Sequence, residues 1–298
     1  MPTASTSLSN CYTPFPTGYQ KAFDSSNRHS GDGTGETRSS KAIRRLCLDR
    51  SILSSSSGSS LVELGHTKVI CSVHGPRPSN SSSISGGAGG AGDLYSSGSL
   101  NCEIRYAPNF GIRPETTLMT TATNLDGFGA SSGGGFSAEE VEISSRLFDA
   151  ISTSIPLELL RKSVLDVYVL VLQSDGSILP ASIMAASLAL SDAGVELYDL
   201  VAACSVAVLP REISSVEEGS QRGKGRDKPY HLLTDPTEEE ILKAESVITV
   251  AILPNWKEVA FWDQSGRLPV AIASEATELC RDGCTAMHKF MRQCLVGN

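Results

Sequence analysis

No stretch of this 298-residue chain comes near the roughly 20 consecutive apolar residues that a membrane-spanning helix requires. A positive balance is also missing: 25 Lys and Arg stand against 33 Asp and Glu, for a net charge of −8 and a sequence pI near 5.2. That excludes gripping nucleic acid by bulk electrostatics, because neutralising phosphates takes clustered Lys and Arg. It leaves room for a local basic patch. No Gly-Lys-Ser/Thr occurs, so there is no nucleotide P-loop. No Gly-x-Ser-x-Gly elbow follows a strand, so Ser/His/Asp catalysis has no local support. Nothing resembles a secretory signal. The eight cysteines, several in strand-like runs such as KVICSV, are therefore expected as reduced thiols of an intracellular protein.

What is present suffices for a packed core. Hydrophobic residues make up 40% of the chain and charged residues only 19%. Residues 1–40 show no sustained period and read as a disordered N-terminal tail. Its first 30 residues are rich in Ser and Thr, with Asp24 the only acid, so an organelle transit peptide is the alternative. The folded domain is expected over 41–298, interrupted by a Ser/Gly-rich insertion at 79–92 and a polar loop at 211–230.

Within that domain SSLVELGHTKVICSVHGP reads as a hairpin turning at Gly65-His66, and SLNCEIRYAP resumes a strand. Ser137 and Glu140 form a capping box that opens a helix with Val141, Leu147, Phe148 and Ile151 on its apolar face. VLDVYVLVL at 164–172 is apolar on both faces, as a central strand is. After the DGS turn a small-residue helix is expected from Pro180, with Gly194 in the left-handed position that ends it. DLVAACSVAVL is a buried strand, and VITVAIL and EVAFW pair through Pro254-Asn255. A long amphipathic helix from about Val270 to Leu295 closes the chain. Strands, helix, strand, helix, strands, helix is an α/β or α+β order with a mixed sheet.

Candidate sites are few. Gly87, Gly89 and Gly92 match G-x-G-x-x-G, but a Ser-rich linker precedes them and a strand follows, so the match is fortuitous. Cys280, Cys284 and His288 recur every four residues; a core face explains them better than a metal, for which a second ligand pair is missing. No cofactor or metal is expected. Arg222, Lys224, Arg226 and Lys228 make a basic loop able to meet an RNA backbone or simply to be solvated. Asp235, Glu238, Glu239, Glu240 and Glu245 crowd an eleven-residue stretch before an apolar run. These carboxylates suit a helix start, with Asp235 as N-cap, Pro236 first in the helix and Glu238 as the capping-box partner.

VLQSDGSILPASIMAASLALSDAGVELYDLVAACSVAVLP (171–210) resembles the RNase PH family: strand, DG, Ala-rich helix, ALxDAG, then DLV and a buried strand. The likeness extends to GSSLVELGHTKVICSVHGPR (58–77), EIRYAP (103–108) and EEVEISSRLFDAI (139–151). Within the family, DPTEEEILKAESVITVAILP looks like the ring subunits of the eukaryotic RNA exosome core. The resemblance implies an α+β, RNase PH-like fold of mixed sheets packed with helices in ββαβα-type halves. It also implies a hexameric ring with other RNase PH-like subunits, topped by RNA-binding cap subunits, around an RNA channel. Nuclear, nucleolar and cytoplasmic placement goes with it.

Active family members cleave RNA with phosphate. They carry an arginine pair at the start of the helix opened here by Ser137, where guanidinium forks hold phosphate oxygens. The positions here read Ala138 and Glu139. Active members also carry two aspartates, one matching Asp235 and one falling on Val247, and valine neither ligates Mg²⁺ nor transfers a proton. The resemblance therefore implies a non-catalytic structural subunit, with an active phosphate-dependent 3′→5′ exoribonuclease or a free-standing α/β metabolic enzyme as alternatives. Arg105, Arg113, Arg222, Lys224 and Arg226 are the candidate RNA contacts.

Overall fold

The structure, a computed structural model, describes residues 42–78, 98–107, 137–210 and 230–296. The first strands are β1 (Leu46–Arg50), β2 (Gly58–Leu64), β3 (Thr67–Pro78) and β4 (Ser99–Tyr106). Helix α1 (Ala138–Ser152), strand β5 (Ser163–Gln173) and helix α2 (Ile178–Asp192) follow. Strands β6 (Ala202–Pro210) and β7 (Tyr230–Thr234) precede a short helix α3 (Glu238–Lys243). Strands β8 (Ser246–Leu253) and β9 (Glu258–Gly266) and helix α4 (Val270–Val296) complete the chain. One sheet has the order β1-β2-β3-β5-β4, antiparallel except for the parallel β4–β5 pair; the other is antiparallel, β7-β6-β8-β9.

Helix α2 is the centre of the molecule. Its residues Pro180 to Leu190 are all buried, and it touches β2 and β3 of one sheet and β6 of the other. Alanine and serine make this close packing possible. Gly58 shows how close: a Cβ there would run into the backbone of Ala189 and Ala193. Helix α4 covers β6 and β8 and reaches β1, while α1 lies on β4 and meets β9. Side chains from both sheets merge into one core.

Most expected elements are present. The hairpin turns at Gly65 (φ 63°), and Gly194 (φ 73°) ends α2. Helix α2 begins at Ile178 rather than at Pro180, after Ser177 in a left-handed conformation. In α1 the buried face runs through Glu140, Leu147, Ala150 and Ile151; Val141 and Phe148 sit one position round and are exposed. Strand β5 has neighbours on both edges, yet only one face is covered. Leu165, Val167, Val169 and Val171 are buried, whereas Tyr168, Leu170 and Leu172 look outward, and no described element covers them. The sequence predicted neither β1 nor β7, and Tyr230, assigned to the polar loop, opens β7. Both strands are five residues long, too short for alternation to stand out. Among the described cysteines six are free, but Cys47 is disulfide-bonded, contrary to the expectation of reduced thiols throughout. The tail, the insertion at 79–92 and residues 211–229 lie outside the described residues.

Substituting Gly58→Ala overpacks the β2–α2 contact, because backbone cannot retreat as a flexible side chain would. It should lower stability by about 1–3 kcal/mol, read as a fall in the urea midpoint at unchanged slope.

Candidate functional site

The end of β4 and the start of α1 meet at a polar corner. Ser137 is extended (φ −71°, ψ 150°), as an N-cap must be. Its Oγ accepts from the Glu140 amide at 3.2 Å, and its own amide donates to Glu140 Oε2 at 2.9 Å, so the predicted capping box is present. The other oxygen of Glu140 accepts from the Tyr106 amide at 3.1 Å, and the Tyr106 hydroxyl donates to Glu139 Oε1 at 3.0 Å. Three donors that could face an anion are thus occupied by the chain's own carboxylates. Glu140 is buried, so its charge takes the positive end of the helix dipole for itself. The Tyr106 phenol is pushed upward by burial first, then by Glu139, Glu140 and Glu238. Glu238 belongs to the first turn of α3, so the acidic starts of α1 and α3 act on the same tyrosine.

Asp235 lies elsewhere in this geometry. It is not the N-cap of α3. That position belongs to Thr237, whose Oγ1 accepts from the Glu240 amide at 3.4 Å while the Thr237 amide donates to Glu240 Oε2 at 2.8 Å. The box therefore starts two residues later than the sequence predicts, and Pro236 and Asp235 stand outside the helix. Asp235 adopts a left-handed conformation (φ 54°) that a cap does not use. Its carboxylate is buried and gripped by Arg44: Nη2 donates to Oδ1 at 2.7 Å, and Nε and the backbone amide donate to Oδ2 at 2.9 and 3.1 Å. Arg44 Nη1 also donates to the Asp175 carbonyl at 2.6 Å. Burial opposes the charge of Arg44, but Asp235 and Asp175 outweigh it and raise the guanidinium further.

Sheet order separates Asp235 from Val247. Strand β6 runs between β7 and β8, with Val206 pairing with Thr234 on one side and Ile248 on the other. Two strand spacings put the two backbones about 10 Å apart. Position 247 faces Ala207 and Ser265 and carries no ionisable group. Arg105 pairs with Glu103 on the face of β4 opposite Tyr106 and so does not join the acidic corner. Arg113, Arg222, Lys224 and Arg226 lie outside the described residues, as do Gly87, Gly89 and Gly92. Cys280 and Cys284 pack in the core, with thiols directed at the carbonyls of Ile248 and Val250 and pushed upward by burial, Cys280 to about 12. Arg44, Asp175 and Tyr106 were not anticipated. The only local hint is that RR at 44–45 and DG at 175–176 adjoin apolar runs.

Truncating either partner of the Arg44–Asp235 pair strands a buried charge. Arg44→Ala or Asp235→Ala should each cost about 3–5 kcal/mol, while the double change Arg44→Met/Asp235→Leu should recover much of the loss. A double-mutant cycle closed with Arg44→Ala/Asp235→Ala in urea reads the coupling.

Residues 42–196 match the family model described as "3' exoribonuclease family, domain 1" and labelled RNase_PH. "Exosome complex component MTR3" of Homo sapiens is 33% identical over 264 residues, covering 87% of this chain and 85% of the relative. "Exosome complex component RRP41-like" of Arabidopsis thaliana is 32% identical over 253 residues, covering 85% and 80%. The crystal structure of rice Rrp46 superposes with a TM-score of 0.64 at 20% identity, covering 87% of this chain and 98% of that one, a likeness of fold.

Proposed function

The chain belongs to the RNase PH family of 3′ exoribonucleases, and from that premise we propose that it is a non-catalytic structural subunit of the RNA exosome core ring. It works with other RNase PH-like subunits and RNA-binding cap subunits in 3′→5′ RNA processing and degradation, including ribosomal RNA maturation and messenger RNA turnover. It acts in the nucleus, nucleolus and cytoplasm. The observation that carries the reading is the Tyr106–Glu139–Glu140 corner. Phosphorolysis needs inorganic phosphate beside the scissile RNA phosphate. Here the Ser137 amide and the amide and hydroxyl of Tyr106 already serve internal carboxylates, and the added negative charge repels an incoming anion.

Two further features support it. Val247 supplies no acid where active relatives carry one, and both carboxylate oxygens of Asp235 accept from Arg44. The outward face of the five-stranded sheet offers Tyr168, Leu170 and Leu172 with Ile70 beside them in register, an apolar strip suited to burial in an assembly. The acidic balance of the chain leaves most of the channel's positive field to its partners.

Purified protein incubated with end-labelled RNA and inorganic phosphate should release no nucleoside diphosphate above a no-enzyme control. Mixed with the remaining core subunits, it should co-elute in one assembly. Phosphate-dependent release of nucleoside diphosphates by the chain alone overturns the non-catalytic reading.

A further inference from the structure

A second polar site lies away from the acidic corner, at the other end of α2. A cleft of about 360 Å³ opens between the loop that follows α2, the β8–β9 turn and the last turns of α4. Its apolar wall is Val195, Leu197, Leu200 and Leu295. At its base the Asp199 carboxylate accepts from the Asn255 amide at 2.7 Å, from Asn255 Nδ2 at 2.8 Å and from the Leu200 amide at 2.8 Å. These bonds fix the β8–β9 turn to the loop after α2. His288 also lines the cleft. Its side chain is 7% exposed, and Nε2 stands 3.6 Å from Asp199 Oδ1, an ion-pair distance beyond hydrogen-bond reach, with no hydrogen-bond partner among the described residues. A buried polar atom left unpaired is costly unless something arrives to pair with it.

Next to this cleft stand two aromatics that the monomer leaves in water. Tyr198 and Trp256 are 57% and 59% exposed, pack edge to face at 6.4 Å between ring centroids, and adjoin Asp199 and Asn255 in sequence. The indole N–H donates to the Tyr198 carbonyl at 3.3 Å, so the pair is positioned before anything binds. Arg292 lines the cleft too, exposed and without an ion pair among the described residues. Trp, Tyr and Arg around a pocket with an unpaired polar atom is the composition of an interface hot spot.

We propose that the cleft beside Tyr198 and Trp256 docks a polypeptide segment of a neighbouring subunit, one that brings an apolar side chain to the Val195–Leu295 wall and a carboxylate to Arg292. This rests on the assembly reading above and names the surface and the chemistry of one contact. Charge complementarity selects the occupant. Arg292 is the one Lys or Arg among the described residues lining the cleft, and around the aromatics exposed Glu196 and Glu258 outnumber Lys257, an arrangement that favours a single carboxylate over a run of RNA phosphates.

The test uses the full chain in the reconstituted core with RNA present. With Trp256→p-benzoylphenylalanine, irradiation should yield a crosslink to a neighbouring subunit, mapped by mass spectrometry to a segment with Asp or Glu beside an apolar residue. Arg292→Glu should weaken incorporation tenfold or more, and Lys in place of the partner's mapped acid should restore it. Crosslinking to RNA alone, no crosslink within an intact assembly, or incorporation of Arg292→Glu within twofold of the parent overturns the proposal and leaves the assembly reading standing. A parent chain that enters no assembly overturns both.

Discussion

The buried fork between Arg44 and Asp235 is the constraint on which the rest of the architecture depends. It ties the segment before β1 to the segment after β7, 191 residues away, and through Asp175 to the turn that launches α2. Around it two turns face each other. Ser177 Oγ donates to the Pro236 carbonyl at 3.2 Å, and Thr67 Oγ1 donates to the Gly176 carbonyl at 2.8 Å. Gly176 cannot be replaced, because a Cβ there would strike the backbone of Pro236 and Glu238. Ser177 and Asp235 both sit at positive φ, each at a cost of about 1–2 kcal/mol, which the charge-assisted bonds and the packing around them offset. The clamp therefore joins the two sheets at the point where α2 enters between them.

That geometry recasts the chemistry. The family resemblance implies that active members hold phosphate at this helix start with a pair of arginine side chains. Here Glu140 caps α1 and latches it to β4 through the Tyr106 amide, and Glu139 takes the Tyr106 hydroxyl. Two side chains suffice, because a helix N-terminus accepts a carboxylate of its own as readily as a ligand's phosphate. The likeness to exosome components extends over most of the chain.

Much of this was legible in the residues. The Ser137–Glu140 box, the Gly65 hairpin, the Gly194 stop and the small-residue helix follow from rules that act within a few positions, and each is found. Where neighbours in space decide, the letters mislead. The β5 run is apolar throughout, so its alternation is hidden, yet half of it faces outward because no described layer lies on that side. Short strands such as β1 and β7 hold their place through pairing partners rather than through their own pattern.

The candidate site divides the same way. By itself the sequence determined that Ala138 and Glu139 supply no guanidinium and that Val247 supplies no acid, since a side chain's chemistry is independent of where it folds. Only the tertiary structure decided what Asp235 does. Local order made it a helix cap beside Pro236, but an arginine almost two hundred residues upstream takes both of its oxygens, and the cap passes to Thr237. The physical reason is range. Capping and turn formation are settled between neighbours a few residues apart, whereas the partner of a buried charge is whichever opposite charge the packed sheets bring beside it.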